Sequence, residues 1–145
     1  MIFSQKGLKL LMAWEGTKLK IYLDTGGNPS IGVGHLIQPH EDFSRGITTS
    51  QALDLLDKDI SPFERDVNIH LKQPLTQDQF DCLIIFSYNI GQHGFDTSTA
   101  LKDVMKDDLK DVPDAIRLWN KVNGHVDQGL VNRREKEIQL WNSEI

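Results

Sequence analysis

Apolar positions recur at helical spacing over most of this chain, and one early segment breaks the rhythm. Leu8, Leu11 and Met12 follow Ser4, a residue suited to cap a helix, and that pattern ends near Glu15-Gly16. From residue 18 the character changes to strand. Leu19-Lys20-Ile21-Tyr22-Leu23 leads into Thr25-Gly26-Gly27-Asn28-Pro29, and Ser30-Ile31-Gly32-Val33 follows, so a small antiparallel hairpin is expected. Helical spacing resumes at Thr49 and carries Leu53, Leu56, Ile60, Phe63 and Val67, with a kink expected at Pro62. Thr76-Gln77-Asp78-Gln79 has the form of a capping box ahead of Phe80, Leu83, Ile84 and Ser87, and Gly91 supplies a stop. Shorter helices are expected to open at Ser98-Thr99 and at Asp111 with Pro113. After a loop over 123–129, Leu130, Arg134, Ile138 and Trp141 give a last amphipathic helix. The predicted class is therefore α+β and mostly helical, with its β-hairpin near the start.

Composition narrows the choices. A chain of 145 residues with 39% hydrophobic and 26% charged residues suits one soluble globular domain and argues against disorder. No apolar run approaches the roughly 18 residues of a spanning helix, so no stable membrane insertion is expected. Met1–Lys6 lacks a charged region followed by an apolar stretch, so no cleavable export signal is expected either. A net charge of −5 without a basic stripe argues against a nucleic-acid partner. The single cysteine, Cys82, lies among apolar residues and reads as a buried, inert thiol.

The candidate chemistry lies between Trp14 and His35. Glu15 ends a helical pattern and Asp24 stands at a glycine-rich turn, two carboxylates on different elements. Glycoside cleavage uses such a pair: one protonates the leaving oxygen while the other activates water or stabilises positive charge. A glutamate has an ordinary pKa of about 4.3, so an acid at Glu15 calls for dry surroundings. Each carboxylate also has a plainer reading, a solvated helix end for Glu15 and a turn former for Asp24. Gly32-Val33-Gly34-His35 lacks the third glycine and the following helix of a dinucleotide fingerprint. His35 with His40 and Glu41 makes a weak metal pattern, and Asp24–Ser30 does not follow the calcium-loop spacing. No metal or cofactor is expected, and His35 reads as a hydrogen-bonded framework residue.

Three blocks in order carry a resemblance. Glu15-Gly16, Tyr22-x-Asp24 and Ser30-Ile31-Gly32-x-Gly34-His35 are similar to the active-site signature of the phage-type lysozymes, the endolysins. Phe86-Ser87-Tyr88-Asn89-Ile90-Gly91 with Ser98-Thr99 resembles the family's central helix and the step after it. Trp119-Asn120-Lys121 and Gly129-Leu130-Val131-Asn132-Arg133-Arg134-Glu135 resemble its C-terminal segment.

The resemblance implies a two-lobed lysozyme-like fold with the glycan between lobes. It would have a β-containing lobe over about 16–48, a connecting helix over about 49–70, and a helical lobe over about 74–145 joined by helix 4–15. It implies hydrolysis of the β-1,4 bond between N-acetylmuramic acid and N-acetylglucosamine in bacterial peptidoglycan, by an inverting route. Residue by residue, Glu15 matches the acid and Asp24 the second carboxylate. Ser30 stands where a well-known member carries threonine to hold the attacking water. Arg133 matches a partner of the acid, whereas Arg134 reads as a solvated pair with Glu135 or Glu137. Trp119 and Trp141 read as core. Tyr88, Asn89 and Gln92 are candidates for substrate binding. By the same analogy the protein is a monomer that waits in the host bacterial cytoplasm, is released by a holin and acts on peptidoglycan in the periplasm. Two alternatives stand beside hydrolysis: a lytic transglycosylase, and a non-catalytic wall-binding domain on the same fold.

Overall fold

A computed structural model describes residues 1–143. Its elements run α1 (Gln5–Glu15), β1 (Lys18–Leu23), β2 (Pro29–Gly32), β3 (His35–Leu36), α2 (Thr49–His70), α3 (Gln77–Ile90), α4 (Gln92–Asp96), α5 (Thr99–Met105), a 3-10 turn at Leu109–Asp111, α6 (Val112–Arg117), β4 (Lys121–Val122), β5 (His125–Val126) and α7 (Gln128–Trp141). By internal packing the chain divides into two units, Ser4–Ser61, and Met1–Phe3 with Pro62–Ile145. Helix α1 falls in the unit that holds the β1-β2-β3 sheet. Helix α2 is unbroken from Thr49 to His70, and the division falls at Ser61–Pro62, where the proline ring removes a backbone donor from the helix ladder.

In the first unit, the Ser4 side chain accepts a hydrogen bond from the Gly7 amide, 2.9 Å, and so caps α1. Gly7, Leu8 and Leu11 are its buried positions, and the Gly16 amide closes the helix on the Met12 carbonyl. The sheet is antiparallel in the order β1-β2-β3, with Tyr22 opposite Ser30 and Ile31 opposite His35. Its third strand was not expected, because two residues carry too little pattern to read. Ile31, Val33, Ala52, Leu56 and Ile60 are buried here.

In the second unit, α3 carries the expected capping box: the Thr76 hydroxyl accepts from the Gln79 amide while the Gln79 side chain accepts from the Thr76 amide. Phe80, Leu83, Ile84, Ile85 and Phe86 make α3 the buried axis, with Phe95, Val104 and Ile116 buried around it. Ser98 caps α5 as expected. Asp111 does precede α6, but its side chain makes no cap bond. The loop expected over 123–129 instead contains the end of a hairpin, β4-β5, and the start of α7. Asn123 and Gly124 have φ of 50° and 81°, the pair of left-handed conformations a two-residue hairpin turn requires. Asp127 then caps α7 by accepting from the Leu130 amide. Trp141 is buried as expected, and half-buried Trp119 sets its ring edge-on to Phe86. Cys82 is fully buried, and burial pushes its thiol well above the ordinary range.

Candidate active site

Glu15, Asp24, Ser30 and His35 all belong to the first unit. Glu15 is the last residue of α1, exposed, beside half-buried Trp14. The dry surroundings expected for a proton donor are therefore not supplied by the chain at this residue.

Asp24 sits in the turn that joins β1 to β2, and its backbone and side chain both build that turn. Its amide donates to the Asn28 carbonyl and its own carbonyl accepts from Gly27, each at 2.9 Å. Carboxylate oxygen Oδ1 accepts from the amides of Gly26, 2.9 Å, and Asn28, 2.8 Å. Oδ2 meets the Asn28 side-chain amide only at 3.5 Å. In this turn, backbone donors immobilise one carboxylate oxygen and leave the other lightly engaged.

Ser30 is buried on β2, and its hydroxyl donates to the Asn28 carbonyl at 3.3 Å. With the proton committed there, its lone pairs remain to accept from water. Asn28 therefore ties Ser30 and Asp24 into the same turn.

The His35 ring is gripped from both sides. Nδ1 lies 2.8 Å from Asp59 Oδ2 on α2, and Nε2 lies 2.9 Å from Glu41 Oε1 in the loop after β3. Phe43 approaches the ring edge-on, with centroids 5.9 Å apart. Burial alone would lower the His35 pKa; the two carboxylates outweigh it through hydrogen bonds and charge, and the net shift is upward from 6.5. Glu41 is held below the usual carboxylate range by the Gln38 amide, then by His35, with His40 adding a smaller pull. Asp59 was missed in the sequence. It flanks the buried Ile60, so its place beside the apolar stripe of α2 was readable, but its partner was not.

A raised histidine value stabilises the fold where the unfolded ring is also protonated, below about 6.5, and this contribution fades as pH climbs through the higher folded value. Replacing His35 by Asn should cost about 2 kcal/mol at pH 5 and clearly less at pH 8.5. Denaturant titrations of both proteins across that range check this; a difference that stays constant or grows with pH would refute it.

The remaining predicted residues lie in the second unit. Arg133 donates from Nε to Glu137 Oε2, 3.1 Å. Arg134 is not the solvated group expected. Its side chain is 2% exposed and Glu137 is 0% exposed, with Nη1 2.6 Å and 2.9 Å from the two Glu137 oxygens. Nε donates to the Trp119 carbonyl at 2.8 Å, Nη2 donates to Asn89 Oδ1, and the guanidinium carbon lies 5.3 Å from the Phe86 ring centre. Glu135, the other partner considered, is exposed and pairs with Arg117. Burial pushes Glu137 above its ordinary value, opposed by both guanidiniums. Asn89 is thus built into this framework. Tyr88 packs edge-on against Phe63, centroids 5.4 Å apart, and Gln92 is exposed at the start of α4. Among the described residues, no group of three His, Cys, Asp or Glu side chains is placed to hold a metal ion.

The fold is that of a lysozyme. P22 lysozyme, in a solved variant, superposes with a TM-score of 0.89 at 33% identity over 99% of both chains. The muramidase domain of SpmX from Asticaccaulis excentricus gives 0.87 at 31% identity over 97% of both. The family model described as phage lysozyme matches residues 12–137, and the chain belongs to the phage lysozyme family. The endolysin of Bacillus phage PZA is 38% identical over 99% of this chain, which spans 56% of that relative's length. The endolysin of Salmonella phage P22 is 34% identical over 99% of both proteins. Other relatives, such as that of Escherichia phage Mu, 33% identical over 83% of this chain and 70% of their own, are named SAR-endolysins.

Proposed function

We propose that this chain is a muramidase that hydrolyses the β-1,4 bond between N-acetylmuramic acid and N-acetylglucosamine in bacterial peptidoglycan. Relatives named endolysin and lysozyme support that substrate. The observation that carries the mechanism is the Asp24 turn, with one carboxylate oxygen fixed by two backbone amides and the other lightly engaged. Glu15 gives its proton to the glycosidic oxygen as the bond to the anomeric carbon breaks. Water adds to that carbon and passes a proton to Asp24, while Ser30 accepts a hydrogen bond from the same water. Because Glu15 is exposed, the bound glycan itself supplies the water-poor surroundings a carboxylic acid donor needs.

Asp24→Asn keeps the turn's acceptor geometry and removes the base, so it should lower turnover by about 10²-fold or more with KM little changed. NMR of the first-formed sugar product should show the inverted anomer. Retained configuration would reject the water-attack role of Asp24, and anhydromuramic ends in place of hydrated reducing ends would assign a lytic transglycosylase.

Of the three substrate-binding candidates, Gln92 is the one we place on the glycan, since Asn89 is held by Arg134 and Tyr88 by Phe63. Monomeric state and release by a holin from the host bacterial cytoplasm to the periplasm rest on the family resemblance. Among the described residues no helix is long and apolar enough to cross a membrane. Lysis on expression with a holin and none without it is the expected result.

A further inference from the structure

Ser30 accepts a hydrogen bond from the attacking water in the muramidase reading, yet its side chain has little of its own to hold it still. A serine lacks the β-branch that restricts χ1, so its hydroxyl has three staggered positions open to it. Its side-chain hydrogen bond to the Asn28 carbonyl, at 3.3 Å, is long for a hydroxyl donor and does little to choose among them. Packing must make the choice, and strand pairing names the neighbours. Residues directly opposite in an antiparallel sheet share a face, with β-carbons about 5 Å apart. Tyr22 on β1 and Leu36 on β3 flank Ser30 in this way. Leu36 is 48% exposed, whereas Tyr22 is half-buried, and Ser30 between them is 3% exposed. Tyr22 also stands two residues before Asp24, so it neighbours both groups assigned to the water.

The Tyr22 ring is itself held, because the Lys18 ammonium lies 4.6 Å from its centre as a cation–π contact. Regular strand geometry would not bring these two residues together: four steps of roughly 3.3 Å would set them about 13 Å apart. Lys18 lies opposite Gly32 and Tyr22 opposite Ser30, so four steps of β1 are matched by two of β2. That irregularity closes the separation to roughly 7 Å, within reach of a lysine stem.

Resting on the muramidase reading, we propose that Lys18 and Tyr22 are positioning residues for the hydrolytic water. The Lys18 ammonium fixes the Tyr22 ring, and the ring walls the Ser30 side chain. The wall confines the Ser30 hydroxyl to the rotamer whose lone pairs face the water. The ring thus performs the restriction that a β-branched residue at position 30 would carry out with its own methyl. Both residues act through Ser30 and not on the reacting atoms, so their contribution falls on turnover and not on substrate binding.

The test begins with Lys18→Met, which keeps the stem and removes the charge. The freed hydroxyl then samples three rotamers, one of them productive, so kcat should fall about threefold with KM unchanged. Lys18→Arg, which also places a cation over the ring, should restore kcat. Adding Ser30→Thr separates positioning from a general effect. Threonine restricts χ1 by itself, so in a Ser30→Thr background Lys18→Met should cost almost nothing. An equal threefold loss in both backgrounds would overturn the proposal, as would a rise in KM at constant kcat, which makes Lys18 a glycan-binding residue. NMR adds a readout that needs neither glycan nor turnover, and it decides the matter even where the added methyl prevents folding. The Hα–Hβ couplings of Ser30 should report one staggered rotamer in wild type and Lys18→Arg, and an average of rotamers in Lys18→Met. Couplings that Lys18→Met leaves unchanged would overturn the positioning role whatever the substrate. Because they are measured on the free protein, they distinguish failure of the Lys18–Tyr22 hold from failure of the muramidase reading.

Discussion

Glu15→Gln should reduce lysis of peptidoglycan suspensions by about 10²–10⁴-fold while leaving the fold intact, the range that a positioned proton donor contributes. Glu15 is exposed at the end of α1, and that helix is closed by the Gly16 amide on the Met12 carbonyl, not by the Glu15 side chain. The glutamine amide keeps the size and polarity of the carboxyl and lacks only the transferable proton. The loss should therefore fall on kcat, with binding of an uncleaved glycan oligomer nearly unchanged. A variant with full lytic activity would remove Glu15 from the chemistry. A variant that loses glycan binding in proportion to activity would make it a binding residue.

Arg134→Met should destabilise the protein by about 3–5 kcal/mol, measured as a shift of the urea midpoint at constant slope. The substitution strips Glu137, 0% exposed, of its bidentate partner and leaves the Trp119 carbonyl and Asn89 Oδ1 without the donors that serve them. Arg133 still reaches Glu137 through Nε, which keeps the loss towards the lower end of that range. Adding Glu137→Leu should recover much of the stability, because an apolar pair avoids the burial of an unpaired charge. A surface pair would cost less than about 1 kcal/mol on deletion, so a loss that small would show that water solvates this cluster.

Much of the local structure was legible because its causes are local. A Ser or Thr at a helix start accepts from an amide three residues on, and Ser4, Thr76 and Ser98 do so wherever the rest of the chain lies. The same holds for the Asp24 turn, whose hydrogen bonds reach no further than Asn28. The two-residue strands β3 to β5 and the five-residue α4 escaped notice because so few residues cannot display a period.

Long-range partnerships were not legible. Arg134 sits 45 residues from Asn89 and 15 from Trp119, and nothing in Arg133-Arg134-Glu135 distinguishes the arginine that goes inward. His35 offered Glu41 as a neighbour, but Asp59 is 24 positions away on another element. Sequence by itself determined the family, the caps at Ser4, Thr76 and Ser98, and the turn that carries Asp24, because residue type and short spacing specify hydrogen bonds between near neighbours. Only the tertiary structure decided that Arg134 and Glu137 are buried and that His35 is held between two carboxylates. Burial and charge pairing depend on which distant segments meet, and the spacing of residues along a chain does not encode that meeting.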